Sequence, residues 1–489
     1  MLSNDHQLGR ARVCNAGGVS SSATRTPGDT LIRPSERLIS RMWPARPAIW
    51  VTATYLALYI LRPWEILMPW LGELHFERIY ALGMIAVVFL TCKIQPRVNA
   101  QSVAVLFFLS ALVLSSLFAV ESLNTWTETY KYVTLVVFYF ILLIVVRTPY
   151  ELVFLATVYV ASVSVYMAKA QWEFFFNGRR DHTMGVVRLI GFEHTFGGPN
   201  ALAMSIIVSM PIAYFLLSYR KIITETWPKF CLAAFIPLLG GYGMLALSSL
   251  VLTNSRSGML CGMVFIALVT LRNKSLARKL VAAVCAMALL LVLWLMMSET
   301  TKARLRTLWD PSSASADTHA SSMGRVEGLL AGIEMFKAYP VTGIGIGNFI
   351  PYRMGHLDRV SLEAHNIVGQ VLGETGLLGA ATFCAVVSIM LLNCYRIRRL
   401  CRQSPSKTAD LLSGFAFACQ NAIFLLMIEG MFFHNLLRFN WLWLAAFSGL
   451  ALRLIRSRTA ESHQRSLAAA AWQYRLLNRQ NQSIGRVGQ

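Results

Sequence analysis

Acidic side chains are scarce in this sequence. It holds 24 Asp and Glu against 45 Lys and Arg, and only 14% of its 489 residues are charged. A soluble domain carries roughly 25% charged residues, so a chain built for water alone is excluded. The expected outer connections contain no group of carboxylates of the kind a divalent ion needs as oxygen ligands. Neither a CxxC pair nor an HExxH run occurs, so no metal site and no cofactor is expected. Cysteine is missing where it could staple an exported loop. Cys14, Cys92, Cys231, Cys261, Cys285, Cys384, Cys394, Cys401 and Cys419 all lie in apolar stretches or on the side expected to face the cytoplasm, which excludes a structural disulfide framework. No internal repeat is visible. Residues 1–47 lack an apolar core followed by a small-residue cleavage site and are rich in Ser, Arg and Pro, so a disordered basic cytoplasmic arm without a signal peptide is expected.

What is present is hydrophobic: 55% of the residues, arranged in many apolar segments. Lipid offers no partner to a backbone N–H or C=O, so each crossing segment must satisfy its own. The pattern predicts an all-α, polytopic transmembrane bundle of about 12 spans, at 48–61, 79–92, 103–120, 132–146, 151–168, 200–218, 230–252, 257–271, 280–297, 366–392, 411–428 and 439–453. The domain reading follows: the arm 1–47, an N-terminal transmembrane region 48–297, a large loop 298–365, C-terminal spans 366–453 and a basic tail 454–489, with a helical stretch around SLAAAAWQYRLLNR.

The net charge of +21 would suggest nucleic acid for a soluble protein, but here it sorts by side. With the N-terminus inside, the internal loops carry Lys93 and Arg97; Arg147; Arg220, Lys221 and Lys229; Arg272, Lys274, Arg278 and Lys279; and Arg396, Arg398, Arg399, Arg402 and Lys407. The short external loops 62–78, 121–130, 253–256 and 429–438 hold only Arg62, Arg78, Arg256 and Arg438. This is the cytoplasmic excess of Lys and Arg that sets topology. It places both termini in the cytoplasm and leaves membrane lipid, not nucleic acid, as the surrounding partner.

Two external segments are long, 169–199 and 298–365. The second opens with KARLRTLWDPSSASADTHASS, a loop by its Ser, Asp and Pro content. RVEGLLAGIEMFKAYP then carries an apolar stripe of Val326, Leu329, Leu330, Ile333 and Phe336, with Arg325, Glu334 and Lys337 toward the other side. That predicts an amphipathic helix at the membrane surface, stopped by Pro340. LRPWEILMPWLGELHFERI reads as an interfacial aromatic belt around Trp64 and Trp70.

The external face gathers Arg179, Arg180, Arg188, His194, Asn200, Arg256, Arg325, the TGIGIGN turn with Asn348, then His365, Asn366, Glu429, His434, Asn435 and Arg438. Polar groups at a membrane's edge are costly and point to function. Arginine and histidine without paired carboxylates suit an anion, because guanidinium forks match phosphate oxygens. Each feature has a plainer alternative. Arg256 could be an interfacial anchor beside a Gly258/Gly262 packing pair. The glycines either cradle phosphate on backbone N–H groups or only permit a turn. His365 could cap the following helix, and Glu374 could pair within the bundle.

The order is more specific than any member. R-x14-P-x2-G-x-G-x-G-N-F from Arg325, then A-H-N at 364–366 and E-T-G-L-L-G from Glu374, with S-R-S-G at 255–258 upstream, resembles the O-antigen ligase and polymerase family of bacterial envelopes. Arg188, Gly191 and Pro199-Asn200 resemble its weaker motif; the first five spans carry little of it. The resemblance implies a metal-independent, polytopic glycosyltransferase of the inner membrane with its active site in the periplasm. It would take a glycan from undecaprenyl diphosphate and pass it to lipid A-core, another polysaccharide or a protein. Arg256 and Arg325 would match the diphosphate-binding arginines and His365 the essential histidine, with Arg188, Asn348, Asn366 and Glu374 as substrate-binding positions. A polymerase joining repeat units is the alternative within the family. A twelve-span transporter of lipid-linked oligosaccharide is the alternative outside it, disfavoured because no repeat halves or paired broken helices appear.

Overall fold

The computed structural model describes residues 46–487 apart from 66–67, 94–98, 183–184, 193–196, 226–228, 273–274, 297–298, 300–301, 303–305 and 307–315. The expected arm and His194 therefore lie outside the described residues.

Each of the twelve apolar stretches falls on a helix. In chain order these are α1 (Pro47–Leu61), α2 (Phe76–Thr91), α3 (Ala100–Leu117), α4 (Ser122–Val145), α5 (Pro149–Phe176), α6 (Pro199–Ser218), α7 (Lys229–Leu252), α8 (Arg256–Arg272) and α9 (Leu276–Met296). The large loop contributes α10 (Ala316–Ala338), and α11 (Ile367–Gln403), α12 (Lys407–Gly430) and α13 (Phe439–Val487) complete the chain. Seven of them, α3 to α7, α11 and α12, are long and apolar enough to cross a membrane. This is a multi-pass, all-α membrane protein. A two-stranded ladder, β1 (Arg180–Asp181) against β2 (Arg188–Leu189), sits between α5 and α6.

Helix ends depart from the sequence reading where polar residues stay helical. Residues 122–130 and 169–176, read as connections, are turns of α4 and α5. Thr125 and Thr129 show how: each hydroxyl donates to a carbonyl one turn back, satisfying itself inside the helix. ADTHASS, read as loop, forms the first turns of α10. The tail continues α13 because its Ala, Leu and Arg residues are good helix formers and no proline intervenes. α1 ends at Leu61, where Arg62 turns left-handed at φ 40° and pairs with Glu65 and Glu77. The aromatic belt is split: Trp64 is buried under this turn and Trp70 is exposed.

α11 is the hub, packed by α3, α10, α12 and α13. The face of α10 that meets it is not the apolar stripe, since Val326 and Leu330 are 51% and 56% exposed. It is a seam of small residues. A Cβ on Gly328 would stand 2.1 Å from the Ala364 carbonyl oxygen, and one on Gly332 would stand 2.3 Å from that of Gly369. Side chains this small let two backbones approach closely, which is how helices associate in lipid without a hydrophobic driving force. Gly376, at φ 58° and ψ −159°, breaks the helical path of α11. The TGIGIGN turn fills the break: Ile344 N–H donates to Gly373 O, and Gly345 N–H to Glu374 O. Gly345, at φ 98°, is held in a conformation that L side chains rarely adopt.

Candidate functional site

The α7–α8 corner is the first wall. Asn254 takes φ 50°, and Ser255, Arg256 and Ser257 follow, all buried. Arg188 ties the corner to the ladder and to α6. Its Nε donates to Thr253 O at 2.9 Å and its Nη2 to Asn200 Oδ1 at 3.0 Å, while Asp181 lies 3.9 Å away across the ladder. Ser255 Oγ donates to the same Asn200 oxygen at 2.9 Å.

Ser257 and Cys261 of α8 lie against Glu429, the penultimate residue of α12. Glu429 is fully buried, and among the described residues neither of its oxygens has a partner within hydrogen-bond geometry. The positive charge of Arg325 of α10 acts on it, and the guanidinium carbon of Arg325 stands 5.6 Å from the Phe432 ring centre. The same Arg325 acts on His365.

His365 is held at φ 46°, an uncommon conformation for a residue with a side chain. Two features fix it. Ala364 is pinned beneath Gly328 of α10. Asn366 caps α11, its Oδ1 accepting from Val368 N–H at 2.8 Å and Gly369 N–H at 3.2 Å while its amide donates to Met431 O at 3.1 Å. Asn366, not His365, is thus the cap. The His365 ring lies 5.5 Å from that of His434, which stacks on Phe433 at 4.4 Å. Burial, then the charges of Arg325 and Arg353, hold the His365 imidazole below its usual range. Burial, then Arg438 and His365, push His434 down to about 3.

Arg325, His365 and Glu429 thus share one neighbourhood with the Ser257 end of α8, and Arg188 reaches it through Asn200 and Ser255. Asn348 and Glu374 occupy another, under the glycine turn. Asn348 Nδ2 donates to Glu121 O and Ile344 O, each at 3.0 Å, and the Glu374 oxygens accept from Gly347 N–H at 3.1 Å and Gln370 Nε2 at 3.2 Å. These N–H groups point into the protein, so the turn positions α11 instead of presenting an anion nest. Sequence reasoning missed Arg353, which is buried and forked onto Asp358 at 2.5 Å, because only the fold brings its charge to His365. Glu429 and His434 were visible as polar residues after an apolar run, without a role.

The imidazole of His365 thus sits at the start of α11 with the charges of Arg325 and Arg353 acting on it. Residues 241–384 match the O-antigen ligase family. The match covers less than a third of the chain and runs from α7 into α11, taking in Arg256, Arg325, Asn348, His365, Asn366 and Glu374. No curated protein matches the chain. The family is one of membrane glycosyltransferases of ligase and polymerase type. Within it, Arg188, Glu429 and His434 lie outside the matched residues and join the site through the fold.

Acid should weaken this arrangement. Both imidazoles titrate lower in the folded protein than the unfolded value of about 6.5, so the unfolded chain binds more protons as pH falls. Their contribution to stability is present above pH ~6.5 and is lost progressively below it, for His434 down to about pH 3. The thermal midpoint in detergent is expected to drop between pH 7 and pH 5, and His434→Gln to flatten that drop.

Proposed function

We propose that this protein is an O-antigen ligase-like glycosyltransferase that moves a glycan from undecaprenyl diphosphate to a hydroxyl of a periplasmic acceptor, lipid A-core or another surface polysaccharide. One observation carries the reading: the charge of Arg325 acts both on the partly buried imidazole of His365 and on Glu429, which lies against Ser257 in the α8 turn that bears Arg256.

The chemistry follows from charge. Breaking the bond between the anomeric carbon and the diphosphate leaves negative charge on the departing oxygen, and fixed guanidinium groups stabilise charge that develops there. Arg256 and Arg325 take that role. His365, neutral at pH 7, accepts the proton of the acceptor hydroxyl as its oxygen attacks the anomeric carbon. Attack opposite the leaving group inverts that carbon. Asn366 and Arg188 act as positioning residues, the first by seating His365 at the start of α11, the second by bracing the corner before Arg256.

The test is transfer by purified protein from a lipid-diphosphate glycan. Arg256→Lys and Arg325→Lys keep the charge and lose the fork; each is expected to lower the rate about 10- to 100-fold, the range for one oxyanion donor being ~10²–10³. EDTA is expected to leave the wild-type rate unchanged. Full activity in both variants would remove the site assignment. Elongated glycan on the carrier, with no transfer to lipid A-core, would mark a polymerase instead.

A further inference from the structure

α12 packs against α6, α8 and α11, and away from the candidate site two of these neighbours each bring an arginine to it. Arg272 is the last residue of α8, a 17-residue helix that begins at Arg256, so it stands about 25 Å from that site. Its guanidinium carbon lies 4.2 Å from the centre of the Phe417 ring on α12. The guanidinium carbon of Arg398 on α11 lies 5.9 Å from the same centre. Two cations from different helices thus share one aromatic ring. We propose that Arg272 and Arg398 together bind the phosphate of an anionic phospholipid head group.

Three observations select that ligand. First, the partners of both cations among the described residues are neutral. Arg272 Nη2 donates to the Tyr219 hydroxyl at 3.4 Å, and Arg398 Nη1 donates to Gln420 Oε1 at 3.0 Å. No ion pair among the described residues includes either arginine. The ring attracts both guanidinium groups but supplies no countercharge, and each fork has further N–H donors that match phosphate oxygens. Second, Arg398 belongs to α11, a helix long and apolar enough to cross a membrane, and charged side chains in such segments almost always pair. Third, the surface beside the pair is apolar. Leu271, next to Arg272, is 68% exposed, and Phe424, two turns from Phe417 on the same face of α12, is 46% exposed. A phospholipid lays its acyl chains on this surface while its phosphate meets the arginines, whereas free phosphate would have to leave water beside it. Basic pockets between membrane helices hold anionic head groups in this way. The proposal does not depend on the transferase reading, since the pair lies at the other end of α8.

The test uses the full chain in nanodiscs of phosphatidylcholine with and without phosphatidylglycerol, counting by mass spectrometry the lipid that stays bound on detergent extraction. Wild-type protein is expected to retain phosphatidylglycerol over phosphatidylcholine. Arg272→Gln/Arg398→Gln is expected to lower that preference about 30-fold, the loss of two charges near the membrane surface. Arg399→Gln/Arg402→Gln, which removes two exposed arginines of the same α11, is expected to leave it unchanged. Equal retention of the two lipids by wild type, a preference untouched in the first double variant, or an equal loss in the second would overturn the proposal. Release of bound lipid by millimolar inorganic phosphate would overturn the lipid assignment in favour of a free anion. Should the first double variant fail to accumulate, Arg272→Gln alone decides, since that side chain is exposed: a loss of about 5-fold supports the site, and unchanged retention overturns it.

Discussion

His365→Ala is expected to lower glycan transfer by about 10²–10⁴-fold, the usual worth of a positioned general base, with little change in the amount of folded protein. The imidazole is only partly buried and makes no side-chain hydrogen bond among the described residues; the helix cap belongs to Asn366. Removing it therefore takes away a proton acceptor without unseating α11. The pH profile separates this role from a structural one. With its titration held below the usual histidine range by burial and by Arg325 and Arg353, the base is in its active, neutral form at pH 7. The acid limb of the rate profile should fall below pH ~6.5. Arg353→Gln removes one of the opposing charges and should move that limb toward higher pH. A profile with no acid limb, or one that Arg353→Gln leaves unmoved, would separate His365 from proton transfer.

Gly328→Ala should be nearly as damaging, although the added methyl touches no substrate. A Cβ at that position would stand 2.1 Å from the Ala364 carbonyl oxygen and 2.8 Å from its carbonyl carbon. Backbone cannot move aside as the end of a flexible side chain can, so α10 and the start of α11 must separate. Arg325 sits one turn before Gly328 and His365 directly follows Ala364, so the separation falls between the two groups whose spacing the reaction needs. A misplacement of about 1 Å can cost 10²-fold in rate, and overpacking a close contact costs about 1–3 kcal/mol. Transfer is expected to fall on the order of 100-fold, with a lowered thermal midpoint. Gly324→Ala is the control, because a Cβ there would meet only the end of the Leu362 side chain at 3.7 Å. Equal effects at 324 and 328 would argue against the glycine seam as the device that sets the spacing.

Much of the architecture was legible in advance. Apolar length alone located twelve helices, because a chain in lipid must bond its own backbone and does so only over long runs. Helix ends were less legible. The threonines of α4 satisfy their hydroxyls inside the helix without being apolar, and hydropathy does not register them; the tail was expected to be helical only around SLAAAAWQYRLLNR, whereas α13 runs on into it unbroken. The glycines of α10 were readable as residues but not as a seam, since their meaning lies in the partner backbone on α11.

The sequence by itself determined that this is a multi-pass helical membrane protein, and its motif order pointed to the family that residues 241–384 match, because both depend on spacing along the chain. Tertiary structure alone decided which polar residues meet. It drew Arg353, His434 and Glu429 toward His365 and Arg325, and set Asn348 and Glu374 to holding a turn. The reason is physical: a buried charge is tolerated only where neighbours from distant segments compensate it, and one chain read in order does not show which distant segments will be neighbours.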